Sequence, residues 1–340
     1  MKTIKVLSLI LIVLVCFAQL SPAQFEVKRK AGINGAAFLK VGVGAREVAM
    51  GSAVTALREE VTQMFWNPAG IALKGQTLQA VFSYDKWIAG IKHSALGVSY
   101  NLKDIGTIGL GVVAFGDNDI PADRDVYPGN PTLQAMQIDQ ATSSTYNYMD
   151  LAVQVSYARY VLDNLSIGAT VKLINETIDD QSVSAIAFDF GSVYNILGGW
   201  TIAARLNNLG GDLKYYDYGA PIPLTFSIGT AVPVKTDVFN MLFVFDVVKP
   251  QDGLQYFYVG SEFSLPDDLL AVRWGYKLNY SGTKDDMTNL KPSIQTSVEG
   301  ISLGVGTKVT YTGYTFRLDY AFTQMDLVSN VHRISLHFEM

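Results

Sequence analysis

The closing forty residues constrain this chain more than any other part of it. From Ile301 to Tyr311, the apolar residues Ile301, Leu303, Val305, Val309 and Tyr311 are separated by Ser302, Gly304, Gly306, Lys308 and Thr310. After Thr312-Gly313, Phe316, Leu318, Tyr320 and Phe322 alternate with Thr315, Arg317, Asp319 and Ala321. Ile334, Leu336, Phe338 and Met340 then alternate with Arg333, Ser335, His337 and Glu339. Period two over three segments predicts strands with two chemically different faces. One face carries whole charges and sees water. The other is apolar to the last residue and needs a non-aqueous solvent. A lipid-embedded barrel with a wet lumen meets both demands. Arginine at Leu336 should then be costly, and substitution at Ser335 cheap.

Composition agrees. The chain is 49% hydrophobic and only 17% charged, poor in charge for a water-soluble protein. Met1 to Ala23 reads as a cleavable secretory signal, with Lys2 and Lys5, an apolar run from Val6 to Leu20, and Ser21-Pro22-Ala23 before Gln24. Cys16 follows the bulky Val15 inside that run, so lipidation is discounted. Beyond it there is no helix-length apolar run. The longest uncharged stretch, Tyr218 to Val234, is broken by Pro221, Pro223 and Pro233, which excludes helical spanning. The processed chain, residues 24–340, has no cysteine, so disulfides, thiolate metal sites and cysteine nucleophiles are excluded. Without Lys2 and Lys5, 24 basic residues face 31 acidic ones, a net charge of −7. That argues against nucleic acid.

Turns and alternation together predict an all-β fold, a 14-stranded antiparallel transmembrane β-barrel over 76–340. The strands are expected at 76–85, 93–102, 106–116, 147–161, 165–179, 183–196, 200–209, 222–234, 239–248, 255–265, 269–280, 297–311, 314–323 and 330–340. Even-numbered connections are short and most odd-numbered ones longer, with extremes at 117–146 and 281–296. Short periplasmic turns and long external loops have this parity, and an even strand count leaves both termini in the periplasm. Aromatics such as Tyr84, Trp87, Tyr148, Trp200, Tyr280, Tyr311 and Tyr314 fall near strand ends, where interfacial girdles lie.

Little in the chain suggests catalysis. His332 and His337 are an odd number apart and face opposite sides of one strand. With His93 they make no metal site. Ser335 and His337 lack an orienting third group. Gly42-Val43-Gly44 lacks the rest of a dinucleotide fingerprint. No enzyme activity, cofactor or metal is expected. The 117–146 loop gathers Asp117, Asp119, Asp123, Asp125 and Asp139. It reads as a solvated external loop, with weak calcium binding or partner docking as the sharper alternative. Lys172, Lys308, Arg317, Asp319, Arg333 and Glu339 are expected to point inward, with opposite charges pairing across the lumen. Electrostatic satisfaction is preferred over a solute pathway.

Residues 24–75 do not alternate. Ala45 to Met50 is a short helix bounded by Gly44 and Gly51. Asn67-Pro68 imposes a turn after Phe65-Trp66, a pair too apolar to leave in water. Irregular backbone cannot face lipid, but it can sit inside a barrel. Gly44-Ala45-Arg46-Glu47-Val48-Ala49-Met50-Gly51, then Ala53-Val54-Thr55-Ala56 and Phe65-Trp66-Asn67-Pro68-Ala69-Gly70, resemble the amino-terminal signature of the PorV/PorQ family. These are outer-membrane proteins similar to the FadL fatty-acid channel. The resemblance implies a barrel plugged by its amino-terminal segment, with Gly44, Arg46 and Gly51 as the plug motif. Phe65, Trp66, Asn67, Pro68 and Gly70 are expected to sit in the plug, lining an entrance for a hydrophobic ligand or secreted partner in the functional reading and forming a periplasmic lid that touches no ligand in the plainer one. The resemblance implies a role in type IX secretion, with cargo signal domains, secretion components and outer-membrane lipid as partners. The alternative it leaves open is FadL-like passive transport of hydrophobic compounds.

Overall fold

The computed structural model describes residues 34–75, 77–121, 145–253, 255–278, 299–325 and 328–340. Strands β1 (Leu78–Lys86), β2 (Lys92–Asn101), β3 (Thr107–Pro121), β4 (Thr145–Leu162), β5 (Leu165–Ile178), β6 (Gln181–Asn195) and β7 (Thr201–Gly210) form half of a closed barrel. The other half is β10 (Thr225–Lys235), β11 (Asn240–Pro250), β12 (Tyr256–Ser264), β13 (Ala271–Leu278), β14 (Glu299–Tyr311), β15 (Tyr314–Met325) and β16 (Val331–Glu339). Every neighbouring pair is antiparallel, β7 pairs with β10, and β1 pairs with β16 to close the ring. The fourteen expected strands are all present. A small hairpin between β7 and β10, β8 (Leu213–Tyr215) with β9 (Tyr218–Ala220), was not anticipated. Its strands of three residues are too short to show a period. The signal segment, Tyr280, the 281–296 loop and most of the acidic loop lie outside the described residues.

The faces follow the alternation. Ile334 and Leu336 are 52% and 48% exposed, while Arg333, Ser335 and His337 between them are 2%, 0% and 7% exposed. No described helix is long and apolar enough to cross a membrane. The strands cross instead, with an apolar band outside and polar groups inside, which places the chain in the outer membrane. Most of the short turns gather at one end, although β1–β2 and β5–β6 turn tightly at the other. In the turn between β6 and β7, at the first of these ends, Ile196 N donates to Trp200 O (2.6 Å) around Gly198 and Gly199, both left-handed at φ 80° and 83°. At the same end Leu78 and Met340 exchange backbone hydrogen bonds of 2.9 Å. That end is periplasmic.

Inside runs the segment 34–75, with one helix, α1 (Ala45–Ala49), and 3₁₀ turns at Ala37–Lys40, Val61–Phe65 and Pro68–Ile71. The apolar core lies between this segment and the inner wall. Val48, Met50, Val54 and Trp66 pack on Val193, Ala203 and Val244, and Met64 and Ile71 pack on Val81 and Ala158. Inward glycines mark the closest approaches. A Cβ on Gly275 would lie 1.9 Å from Gly51 N, one on Gly260 2.3 Å from Met50 O, and one on Gly168 2.5 Å from Ala69 N. The segment touches the wall backbone to backbone at these points.

Candidate functional site: the luminal segment and its charged floor

Short irregular backbone leaves donors and acceptors unpaired, and inside a barrel they need partners. Wall side chains supply them. The amino terminus of α1 has no capping side chain of its own. Instead Ser335 Oγ accepts from Ala45 N (2.6 Å) and Ser83 Oγ from Gly44 N (3.2 Å). Ser83 and Ser335 are register partners across the closing seam of β1 and β16. Closing the barrel therefore builds the cap. Ser335 is thus not the permissive site that a wet lumen would make it. Farther round, Asp246 accepts from Thr55 N (2.9 Å) and Oγ1 (2.6 Å). Gln154 donates to Met64 O (2.8 Å), Asn207 to Trp66 O (2.8 Å) and Ser166 to Ala69 O (3.0 Å).

The motif residues are occupied in this seating. Gly44 has φ 94°, and a Cβ there would sit 2.0 Å from Glu47 Oε2. Gly51 has φ 66°. Trp66 Nε1 donates to Val43 O (2.9 Å), and its ring lies under Arg205 at 5.3 Å. Phe65 is half-buried against the inward faces at Gly97 and Gly111. Asn67 donates to Thr55 O (2.7 Å) and accepts from Ala69 N (3.2 Å), holding the turn that begins at Pro68. A Cβ on Gly70 would meet Leu57 O at 2.7 Å.

Arg46 opens a closed ring of alternating charge. It forks onto Glu262 through Nε (2.8 Å) and Nη2 (2.7 Å). Glu262 accepts from Arg273 Nε (2.5 Å), and Arg273 Nη1 donates to Asp319 Oδ1 (2.7 Å). Asp319 accepts from Arg317 Nε (2.8 Å), Arg317 Nη2 pairs with Glu60, and Glu60 returns to Arg46 Nη1 (2.6 Å). Two members belong to the luminal segment and four to β12, β13 and β15. His337 Nε2 lies 3.0 Å from Arg317 Nη2. Burial opposes ionisation of Glu60, but the Arg317 and Arg46 guanidiniums outweigh it and hold its carboxyl below the usual carboxylate range. The Arg46 guanidinium loses hydration too, and Glu262 and Glu60 more than compensate.

The inward charges pair differently from simple cross-strand matching. Lys308 and Arg317 are register partners of like sign. Each turns away, Lys308 to Asp268 at 3.6 Å and Arg317 into the ring. Lys172 reaches Asp189 (2.6 Å) and Asn208 (2.9 Å). Arg333 sits apart from the ring, donating to Asp85 (2.7 Å), whose same oxygen is 2.9 Å from His93 Nδ1. Glu339 stands at the periplasmic mouth and accepts from Gln79 (3.3 Å). Sequence reasoning missed Glu60, Glu262, Arg273 and Asp85. The last three have the inward parity of their strands, a signal that names the face but not the partner.

The lumen is chemically divided. Toward the external loops Phe38, Val113, Phe115, Ile174, Leu213 and Ile222 pack in one apolar cluster, beside the buried His93 and Asp150. Phe38 stacks on Phe115 (6.3 Å between ring centres), which meets Tyr148 edge-on (6.1 Å). Toward the periplasm lies a cavity of about 380 Å³ lined by Arg46, Arg58, Glu60, Lys308, Arg317 and Glu339, among others.

Solved structures share this architecture. The CymD monoaromatic hydrocarbon channel aligns over 88% of this chain and 97% of its own, at TM-score 0.54 and 13% identity. The Pseudomonas putida toluene transporter TodX aligns over the same shares, at TM-score 0.55 and 10% identity. A Pseudomonas aeruginosa FadL homologue covers 87% of this chain and 97% of its own, at TM-score 0.50 and 10% identity. The chain has the fold of the FadL-type channels. No protein-family profile and no curated protein matches it.

Proposed function

We propose that this protein is a non-enzymatic outer-membrane channel for hydrophobic small molecules, with the processed segment up to residue 75 as its plug and residues 76–340 as its barrel. The observation that carries this reading is the division of the lumen. An apolar, aromatic cluster of packed side chains faces the external loops, and a charged floor faces the periplasm. The first offers apolar solutes a compatible surface; the second, tied together by Arg46 and Glu60, suits a closed gate. The fold is shared with structures described as hydrocarbon channels. The residues that carry the PorV/PorQ resemblance are accounted for by plug seating. They support a plug under either reading and do not by themselves favour cargo handling in type IX secretion. The test is uptake of radiolabelled toluene at low external concentration by cells with and without the protein, together with analysis of what co-purifies. Faster uptake and bound apolar molecules support the channel. Unchanged uptake with recovery of secreted cargo bearing a carboxy-terminal signal domain would replace it with the type IX role.

A further inference from the structure

We propose that the outward face of the barrel at its external rim, where β16, β1 and β2 meet, binds the phosphate of a phosphorylated glycolipid in the outer leaflet. Lys86 is the register partner of His332 on one side and of Lys92 on the other. All three are exposed. They share the parity of Tyr84, Ile334 and Leu96, which face lipid. Three basic side chains therefore stand in a row across three strands, above the apolar band.

Directly opposed residues of antiparallel strands hold their Cβ atoms about 5 Å apart, and like charges so placed repel. Lys86 and Lys92 are so placed. Lys92 has a solvent-exposed partner in Asp117 (3.2 Å). For Lys86 the described residues offer no carboxylate, because Asp85 next to it points inward to Arg333. The Lys86 chain lies over the turn, its Cε 3.5 Å from where a Cβ on Gly90 would be. Tyr320 Oη and His332 Nδ1 are 2.6 Å apart. With the hydroxyl donating, the ring proton is on Nε2, a third donor beside the two ammonium groups. A phosphate accepts from all three and relieves the repulsion.

Height places the row among head groups. Leu78 to Lys86 rises about 20 Å along the membrane normal at ordinary strand rise and tilt, close to the height of a barrel's apolar band. The β1–β2 turn is tight, with Trp87 N donating to Ile91 O (2.7 Å), so the strand ends there meet lipid. This inference rests on the membrane placement and not on what the lumen carries.

The experiment is native mass spectrometry of the purified protein in non-ionic detergent with diphosphorylated lipid A added. Wild type is expected to retain one lipid A molecule. Lys86→Gln/Lys92→Gln should lower retention by about tenfold, and Lys86→Arg/Lys92→Arg should restore it. Heat-modifiable migration checks folding, and His332→Gln, which leaves both ammonium groups, gives a second reading with an intermediate loss. Equal retention by wild type and the glutamine variants would overturn the proposal. So would equal retention of dephosphorylated lipid A, or of phosphatidylglycerol, since acyl chains or bare negative charge would then suffice.

Discussion

Glu47 is wholly buried on α1, and neither of its carboxylate oxygens has a hydrogen-bond partner among the described residues. Burial, and then the neighbouring Glu60 carboxylate, push its pKa up from 4.5 to about 8. It is therefore protonated in the folded protein at neutral pH and ionised in the unfolded chain. The sign follows. Its contribution is fully present below pH 4.5 and is lost as pH rises through about 8. Glu47→Gln should remove that decline and raise stability at pH 8 by roughly a few kcal/mol. Thermal midpoints in detergent at pH 5 and pH 8 measure it, and an unchanged pH slope in the variant would contradict the assignment. Thr312 is the other conspicuous residue, a β-branched side chain at φ 48° followed by Gly313 at φ 89°. This is a two-residue hairpin turn that favours Asn-Gly. Thr312→Asn should stabilise by about 1 kcal/mol, read from the same melts.

At the scale of elements, α1 is held by the wall and not by its own length, since five residues are too few for an independent helix. Two devices hold it, the seam serines and the charge ring. Arg46→Ala leaves Glu262 to Arg273 alone and Glu60 to Arg317 alone. Breaking so buried a pairing should weaken the seating by about 3–5 kcal/mol. The expected readout is a raised ion leak in planar bilayers, with Arg46→Lys intermediate because it lacks the fork. A leak indistinguishable from wild type would show that the ring does not hold the segment. Gly275→Val tests the backbone contact, since its Cβ cannot coexist with Gly51 N; it should unseat the segment while β13 still pairs. The helix, its bounding glycines and the Asn-Pro turn were all legible, because each is written in neighbouring residues. The ring was legible only as inward parity: Arg46 and Glu262 are separated by 216 positions, and Glu60 and Arg317 by 257.

For the whole molecule, the lipid face is the sharpest consequence of the alternation. Leu336→Arg, near the middle of β16, should cost about 2–4 kcal/mol. The suitable luminal control is Thr315, half-buried at the mouth, and not Ser335, whose hydroxyl caps α1. Urea unfolding in lipid vesicles compares the two, and equal costs would mean that the register is shifted by one residue. Strand number, face and the periplasmic position of most short turns were determined by the sequence alone, because period-two burial and turn chemistry act over a few residues. The tertiary structure alone decided which inward groups meet. Ser83 and Ser335, 252 positions apart, become neighbours only when the last strand pairs with the first. The three wall strands bring Glu262, Arg273 and Asp319 to one level, and the luminal segment supplies Arg46 and Glu60 to complete the ring. Parity states that a side chain points inward; its partner depends on barrel closure and on what fills the lumen, and neither is a local property.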